Sequence, residues 1–323
     1  MTRKERSDTF FSNEPKGYVL LVVIAVSVLV ITVLATLAKV SLRRGLEAAD
    51  AERGLRTRWG ALTIERVVNQ SIPKVFDEQE KVYAEKNPEI PPPATIRAAI
   101  TLSGITFDLL LGDEDAKLNL NAMYHHVGPM RTQQAIERVV GSTVPGTIRL
   151  LPAVEPLQLA RENARLKEPS SEDGEITEPE VPAAFRSWGE VFDIGQLERQ
   201  ARSPVALPNV TTGISLWGNG VLNIRRASDE AILAVVGSVV QDGGAQKFLK
   251  RFRENPTVTL GVMLQTEVSD QDNRNQIAAL ISETSTNYSV WIDASSRSGT
   301  RLRTFAATVR DETGITQHTR FAY

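Results

Sequence analysis

The 323-residue chain contains no cysteine. That excludes disulfides, thiolate metal sites and thiol nucleophiles together, without identifying a compartment. Histidine is nearly as scarce, with three in all at 125, 126 and 318. His125 and His126 adjoin. In a strand they would point to opposite faces, so one metal ion could not easily use both. With so few histidines, no Ser-His-Asp arrangement stands out, and the chain reads as non-enzymatic. A strong net charge is also missing. The formal value of −2 carries no long-range field for nucleic acid or anionic surfaces, so such a partner would need a local patch.

What is present begins with residues 18–38, a run of 21 without a charged side chain. As a helix it would rise roughly 31 Å, enough to cross a bilayer core. A secretory signal has a shorter apolar stretch and a small-x-small cleavage site, whereas this run leads straight into KVSLRR at 39–44. Ser27, Thr32 and Thr36 fit the span, because each hydroxyl can bond a carbonyl one turn back. Charge does not set the orientation. Four cations precede the run (Arg3, Lys4, Arg6, Lys16) and six follow it (Lys39, Arg43, Arg44, Arg53, Arg56, Arg58). Counting positive charge would keep the bulk of the chain cytoplasmic, yet long domains translocate largely regardless of it.

The helix is expected to continue over 39–85. Leu42, Leu46, Ala49, Leu55, Trp59 and Leu62 recur at helical spacing and predict the stripe that lies on a domain. Prolines at 88 and 91–93 end it. Residues 95–102 and 105–111 read as strands joined by a Ser103-Gly104 turn, and KLNLN at 117–121 alternates with period two. Helical pieces are expected at 133–140 and 157–166, with an acidic linker at 167–182 holding six acids and three prolines. A short helix is expected at 193–202 and a strand pair over 214–225 turning at Gly218-Asn219-Gly220. Ser228 is placed to cap a helix from Asp229, with Gly243-Gly244 breaking it from a second at 245–254. Strands at 288–294, 301–310 and 315–321 close the chain. The fold class is α+β: a long N-terminal helix, transmembrane in its first half, packed on an antiparallel sheet with an inserted helical domain.

Four stretches carry a resemblance: Lys16-Gly17 before the apolar helix; LGDEDAKLNLN at 111–121; GNGVLNIRRASDEAIL at 218–233; and NYSVWIDA at 287–294 with 303–310 behind it. In this order the chain resembles type IV pilin-like proteins, and more narrowly the minor pseudopilin K of type II secretion systems (general secretion pathway protein K). The resemblance implies a prepilin leader at 1–17, cleaved between Gly17 and Tyr18, with N-methylation of Tyr18. Sheet residues would follow at 86–122, a helical insert at 123–212, and the rest of the sheet domain at 213–323. It also implies a single-pass inner-membrane protein with a periplasmic C-terminal domain, at the tip of a pseudopilus that assists protein export. Its partners would be other minor pseudopilins, the major pseudopilin, prepilin peptidase, the secretion channel or cargo, and membrane lipid. Most pseudopilins carry a glutamate at the fifth mature position. Here that residue is Val22, and the K-type subunit typically lacks the acid, consistent with having no subunit above it. The chain departs from the family where Ala116 replaces a glycine, where Arg225-Arg226 replace Asn-Thr, and in Tyr18 rather than phenylalanine.

Two further sites are candidates. Asp113, Glu114 and Asp115 offer oxygens suited to calcium, the one candidate ion; the spacing is not that of an EF-hand, since Leu118 and Tyr124 stand at its sixth and twelfth positions. A solvated acidic turn is the alternative reading. The helices expected at 229–254, with Lys247, Lys250, Arg251 and Arg253, mimic a helix-hairpin-helix that holds a nucleic-acid backbone. An exported domain would have no nucleic-acid partner, so this is the alternative function.

Overall fold

The computed structural model describes residues 16–86, 91–141, 144–153, 155–156, 183–203, 206–255, 258–295, 301–311 and 314–323. The leader up to residue 15, the helix expected at 157–166 and the acidic linker lie outside them. Helix α1 (Lys16–Lys86) runs for 71 residues and ends where expected, before the prolines. The chain divides into two units, Met1–Arg56 and Thr57–Tyr323.

In the first unit every described side chain from Tyr18 to Arg53 is exposed. Ser27, Thr32 and Thr36 each donate to the carbonyl four residues back, at 2.8 Å. Their hydroxyls are thereby satisfied inside the helix, as an apolar surround requires.

In the second unit a five-stranded antiparallel sheet has the order β1-β2-β9-β10-β11: β1 (Thr95–Leu102), β2 (Ile105–Asp113), β9 (Asn287–Ser295), β10 (Arg301–Asp311) and β11 (Gly314–Ala322). Ser103 and Gly104 both take positive φ, 51° and 77°, which makes the tight β1–β2 hairpin the sequence predicts. Strand alternation gives the sheet two apolar faces. Phe107, Leu109, Leu111, Val290 and Ile292 pack with Ala61, Ile64, Ile72 and Phe76 of α1. Leu110, Trp291, Phe305 and Ala307 pack on the helical region. There Trp217 bridges Trp188 and Phe305, with ring centroids 5.3 and 4.3 Å away.

The stripe of α1 that meets the sheet is not the predicted one. Leu42, Leu46, Leu55 and Trp59 are all more than half exposed, and Ala49 is exposed too. The buried residues are Thr57, Gly60, Ala61, Ile64, Glu65, Asn69, Ile72 and Phe76, again at helical spacing. Small size and polar pairing select this face. A Cβ on Gly60 would stand 2.6 Å from the Phe107 ring, so glycine permits the close approach. Glu65 meets His318 and Arg320 of β11 at 3.0 and 3.1 Å, and Arg310 donates to the Asn69 carbonyl.

Everything else described lies between β2 and β9. In chain order these elements are β3 (Leu118–Asn119), α2 (Leu120–Val140), β4 (Glu155–Pro156), β5 (Ala183–Ala184), α3 (Trp188–Val191), α4 (Ile194–Ala201), α5 (Ala206–Val210), β6 (Ile214–Ser215), β7 (Leu222–Asn223), α6 (Asp229–Val239), α7 (Asp242–Glu254), α8 (Leu260–Glu267), α9 (Gln271–Leu280) and β8 (Ile281–Ser282). The large sheet therefore resumes at Asn287. The strand pair expected over 214–225 does not form. β6 pairs in parallel with β3 and β7 with β8, because Gly218 and Gly220, at φ 98° and 76°, swing the chain around the acidic turn. The expected strand 117–121 shrinks to two residues, because Asn119 turns its side chain to the Ala122 amide and starts α2.

Candidate functional site

Two regions of the sequence bear on function: the start of α1 and the acidic turn. At the first, Lys16 and Gly17 are already helical, and Tyr18 is 69% exposed. Val22, where most pseudopilins have an acid, is exposed as well. The helix is long and apolar enough to cross a membrane, by length and composition. Its run of 21 uncharged side chains favours lipid or other apolar helices over water.

The acidic turn is neither solvated nor arranged for calcium. Asp113, Glu114 and Asp115 are 0, 2 and 4% exposed. Asp113 caps the 3-10 turn Glu114–Ala116, accepting from the amides of Asp115 and Ala116, and its other oxygen accepts from Ser285 at 2.7 Å and Arg226 at 3.0 Å. Asp115 accepts from the amides of Thr286 and Asn287 and from Asn287 Nδ2. Glu114 takes Lys117, itself buried, and the Ser289 hydroxyl. The oxygens diverge toward N–H and O–H donors, and two protein cations stand where a calcium ion would need further oxygens. The donor set does not fit the ion. Among the described residues no three His, Asp or Glu side chains converge on a metal position. His125 and His126 lie on α2 rather than on a strand, and His318 pairs with Glu65.

What the turn does is join the parts of the second unit. Arg226 donates Nε to Glu80 at 2.7 Å and Nη2 to Asp77 at 2.9 Å, both on α1, while Nη1 holds Asp113 at the end of β2. Its guanidinium also sits over the Phe76 ring. Burial works against the charge on Arg226, but Asp113, Asp77 and Glu80 outweigh it and raise its pKa, so it stays a cation. Burial holds Asp113 above the ordinary carboxylate value although Ser285 and Arg226 pull it down. Asp115 is pushed up to about 7, chiefly by burial. Three of the four asparagines of the two quoted motifs complete the joint. Asn119 donates to Trp217 O; Asn121 bonds Phe185 and Leu216; and Asn223 accepts from the Arg225 amide while donating to Ser285. Asn223 thus holds the turn into Arg225, and Arg226 clamps that turn to α1. Arg226, Ser285 and Asn287 are not among the site residues the sequence suggests; the one signal is the Arg225-Arg226 pair, noted above as a departure from the resemblance.

The helical pair α6–α7 departs from the expected helix-hairpin-helix. Ser228 caps α6 as expected, but the break falls at Val240-Gln241, and Gly243 and Gly244 sit inside the first turn of α7. Its cations are engaged within the domain: Lys247 with Glu267 at 3.0 Å, Lys250 with Glu254, Arg251 with Glu254 and Glu267, and Arg253 with Asp229 at 2.8 Å.

No family model matches the sequence, and no curated protein matches it. Among solved structures the chain is similar to one chain of the GspK-GspI-GspJ complex of the enterotoxigenic Escherichia coli type 2 secretion system, at 12% identity and a TM-score of 0.39, covering 85% of this chain and 99% of that one. A likeness at that level assigns no role.

Proposed function

We propose that the chain is a membrane-anchored, non-enzymatic assembly subunit of the pilin-like kind, acting as the K-type minor pseudopilin at the tip of a type II secretion pseudopilus. The observation that carries this reading is the dual use of α1. One uninterrupted helix is exposed and apolar over the 21 residues after Gly17, then buries a stripe from Thr57 to Phe76 on an antiparallel sheet. A plain anchor has no need to be continuous with the core of its domain. A subunit that is extracted from lipid and stacked by its helix does. Val22 supports the tip position: with no acid there, the span carries no charge that would require a neighbour's amine inside lipid.

In this reading residues 1–17 are a leader removed by prepilin peptidase, the α+β unit is periplasmic, and the partners are the major and other minor pseudopilins with the channel or cargo. Intact-mass measurement and N-terminal sequencing of the protein from its own membranes test it. A chain beginning with N-methylated Tyr18 is the expected result. A chain still carrying residues 1–17 while the peptidase is active would remove the pilin mechanism.

A further inference from the structure

The residues just past the span form a feature that this function does not use. Lys39, Arg43 and Arg44 follow Ala38 at roughly 1.5, 7.5 and 9 Å along the helix axis, within an arc of about 140°. The headgroup layer is roughly 5–8 Å thick on each side. Helical side chains lean toward the N-terminus, here toward the bilayer, so the two guanidiniums reach back into that layer. All three are exposed. Lys39 and Arg44 have no partner among the described residues, and Arg43 gives only Nε, to Glu47 at 2.8 Å. Residues 39–46 contain no acid, and the next one, Glu47, stands about 13.5 Å beyond Ala38, clear of the headgroups. The headgroup zone of α1 is thus purely cationic, while from Glu47 onward Arg53 and Arg56 are matched by Asp50 and Glu52.

We propose that Lys39, Arg43 and Arg44 form a collar that binds anionic phospholipid headgroups at the end of the span. It rests on the membrane-span reading alone and not on the secretion role. The same collar accounts for the excess of cations after the span: they hold the helix at one depth in an anionic leaflet, which does not require them to stay in the cytoplasm.

The test uses the full chain reconstituted into phosphatidylcholine vesicles carrying a trace of spin-labelled phosphatidylglycerol or, in parallel, spin-labelled phosphatidylcholine. Each cation near an anionic surface is worth roughly a five-fold gain in association. The labelled phosphatidylglycerol is therefore expected to be enriched around the helix by about five-fold or more at low salt, falling toward one at about 1 M salt. Combining Lys39→Gln, Arg43→Gln and Arg44→Gln abolishes the enrichment, whereas Arg56→Gln with Arg58→Gln leaves it. Equal association of the two lipids, or enrichment that survives the triple variant, overturns the collar. So does its loss to inorganic phosphate at matched ionic strength, which would make this a site for a free anion. Flotation with pure phosphatidylcholine vesicles in high salt separates the premises. A chain that floats without lipid preference sinks the collar alone, and one that does not float sinks the span with it.

Discussion

Replacing Arg226 with methionine keeps most of the buried volume and removes the cation that joins α1 to the acidic turn. Asp77 is more than half exposed and Glu80 about one third, so each loses no more than about 1 kcal/mol. Asp113 is different, being fully buried. It keeps Ser285 and two backbone amides but has no compensating charge. Stripping one partner from a buried pair costs about 3–5 kcal/mol, and the remaining hydrogen bonds place this loss near the lower end, about 3 kcal/mol. Urea unfolding of the full chain in detergent, followed by the fluorescence of buried Trp188, Trp217 and Trp291, measures it. Adding Asp113→Asn to Arg226→Met recovers more than half of the loss, because the uncompensated charge goes with it. The loss should also shrink in acid. With Arg226 gone, the folded pKa of Asp113 rises further above its unfolded value; the variant's stability is then fully present below the unfolded pKa and lost as pH rises through the folded one. A deficit under about 1 kcal/mol that is indifferent to pH would refute the account of Arg226 as the clamp.

Gly60→Ala pits two effects of opposite sign. Helix propensity alone favours alanine by about 1 kcal/mol, but the added Cβ meets the buried Phe107 ring at 2.6 Å, and overpacking costs about 1–3 kcal/mol. A lowered melting temperature is expected, restored by Phe107→Leu in the same chain; a raised one would show that the helix can shift off the sheet. Asp115, at about 7 when folded against an ordinary 3.8, makes stability fall as pH rises from about 4 through 7. Asp115→Asn should flatten that slope in unfolding curves taken across the range, and an unchanged slope would assign it to another group.

Much of the fold was legible because it rests on local chemistry. The apolar run at 18–38, the proline stop after Lys86, the Ser103-Gly104 hairpin, the Ser228 cap and the three C-terminal strands each follow from side chains near in sequence. Period-two alternation misled at 117–121. Leu118 and Leu120 are both buried, but on different elements, because Asn119 ends one and caps the next. Helices α8 and α9 were not anticipated. The acidic turn was found by composition and misread in kind, since three consecutive acids look alike whether they face water or an arginine more than a hundred residues away.

The sequence by itself determined that one helix of this protein is long and apolar enough to cross a membrane, because it holds 21 uncharged side chains in a row. It also determined where the strands and turns of the sheet begin. Only the tertiary structure decided which stripe of α1 meets that sheet. Two stripes have helical spacing, and the choice falls on the one where Gly60 admits Phe107 and Glu65 finds His318 and Arg320. It likewise decided that Asp113, Glu114 and Asp115 are a buried joint, since a carboxylate's role depends on the donors the fold brings to it, and Arg226, Ser285 and Asn287 arrive from the far side of the chain.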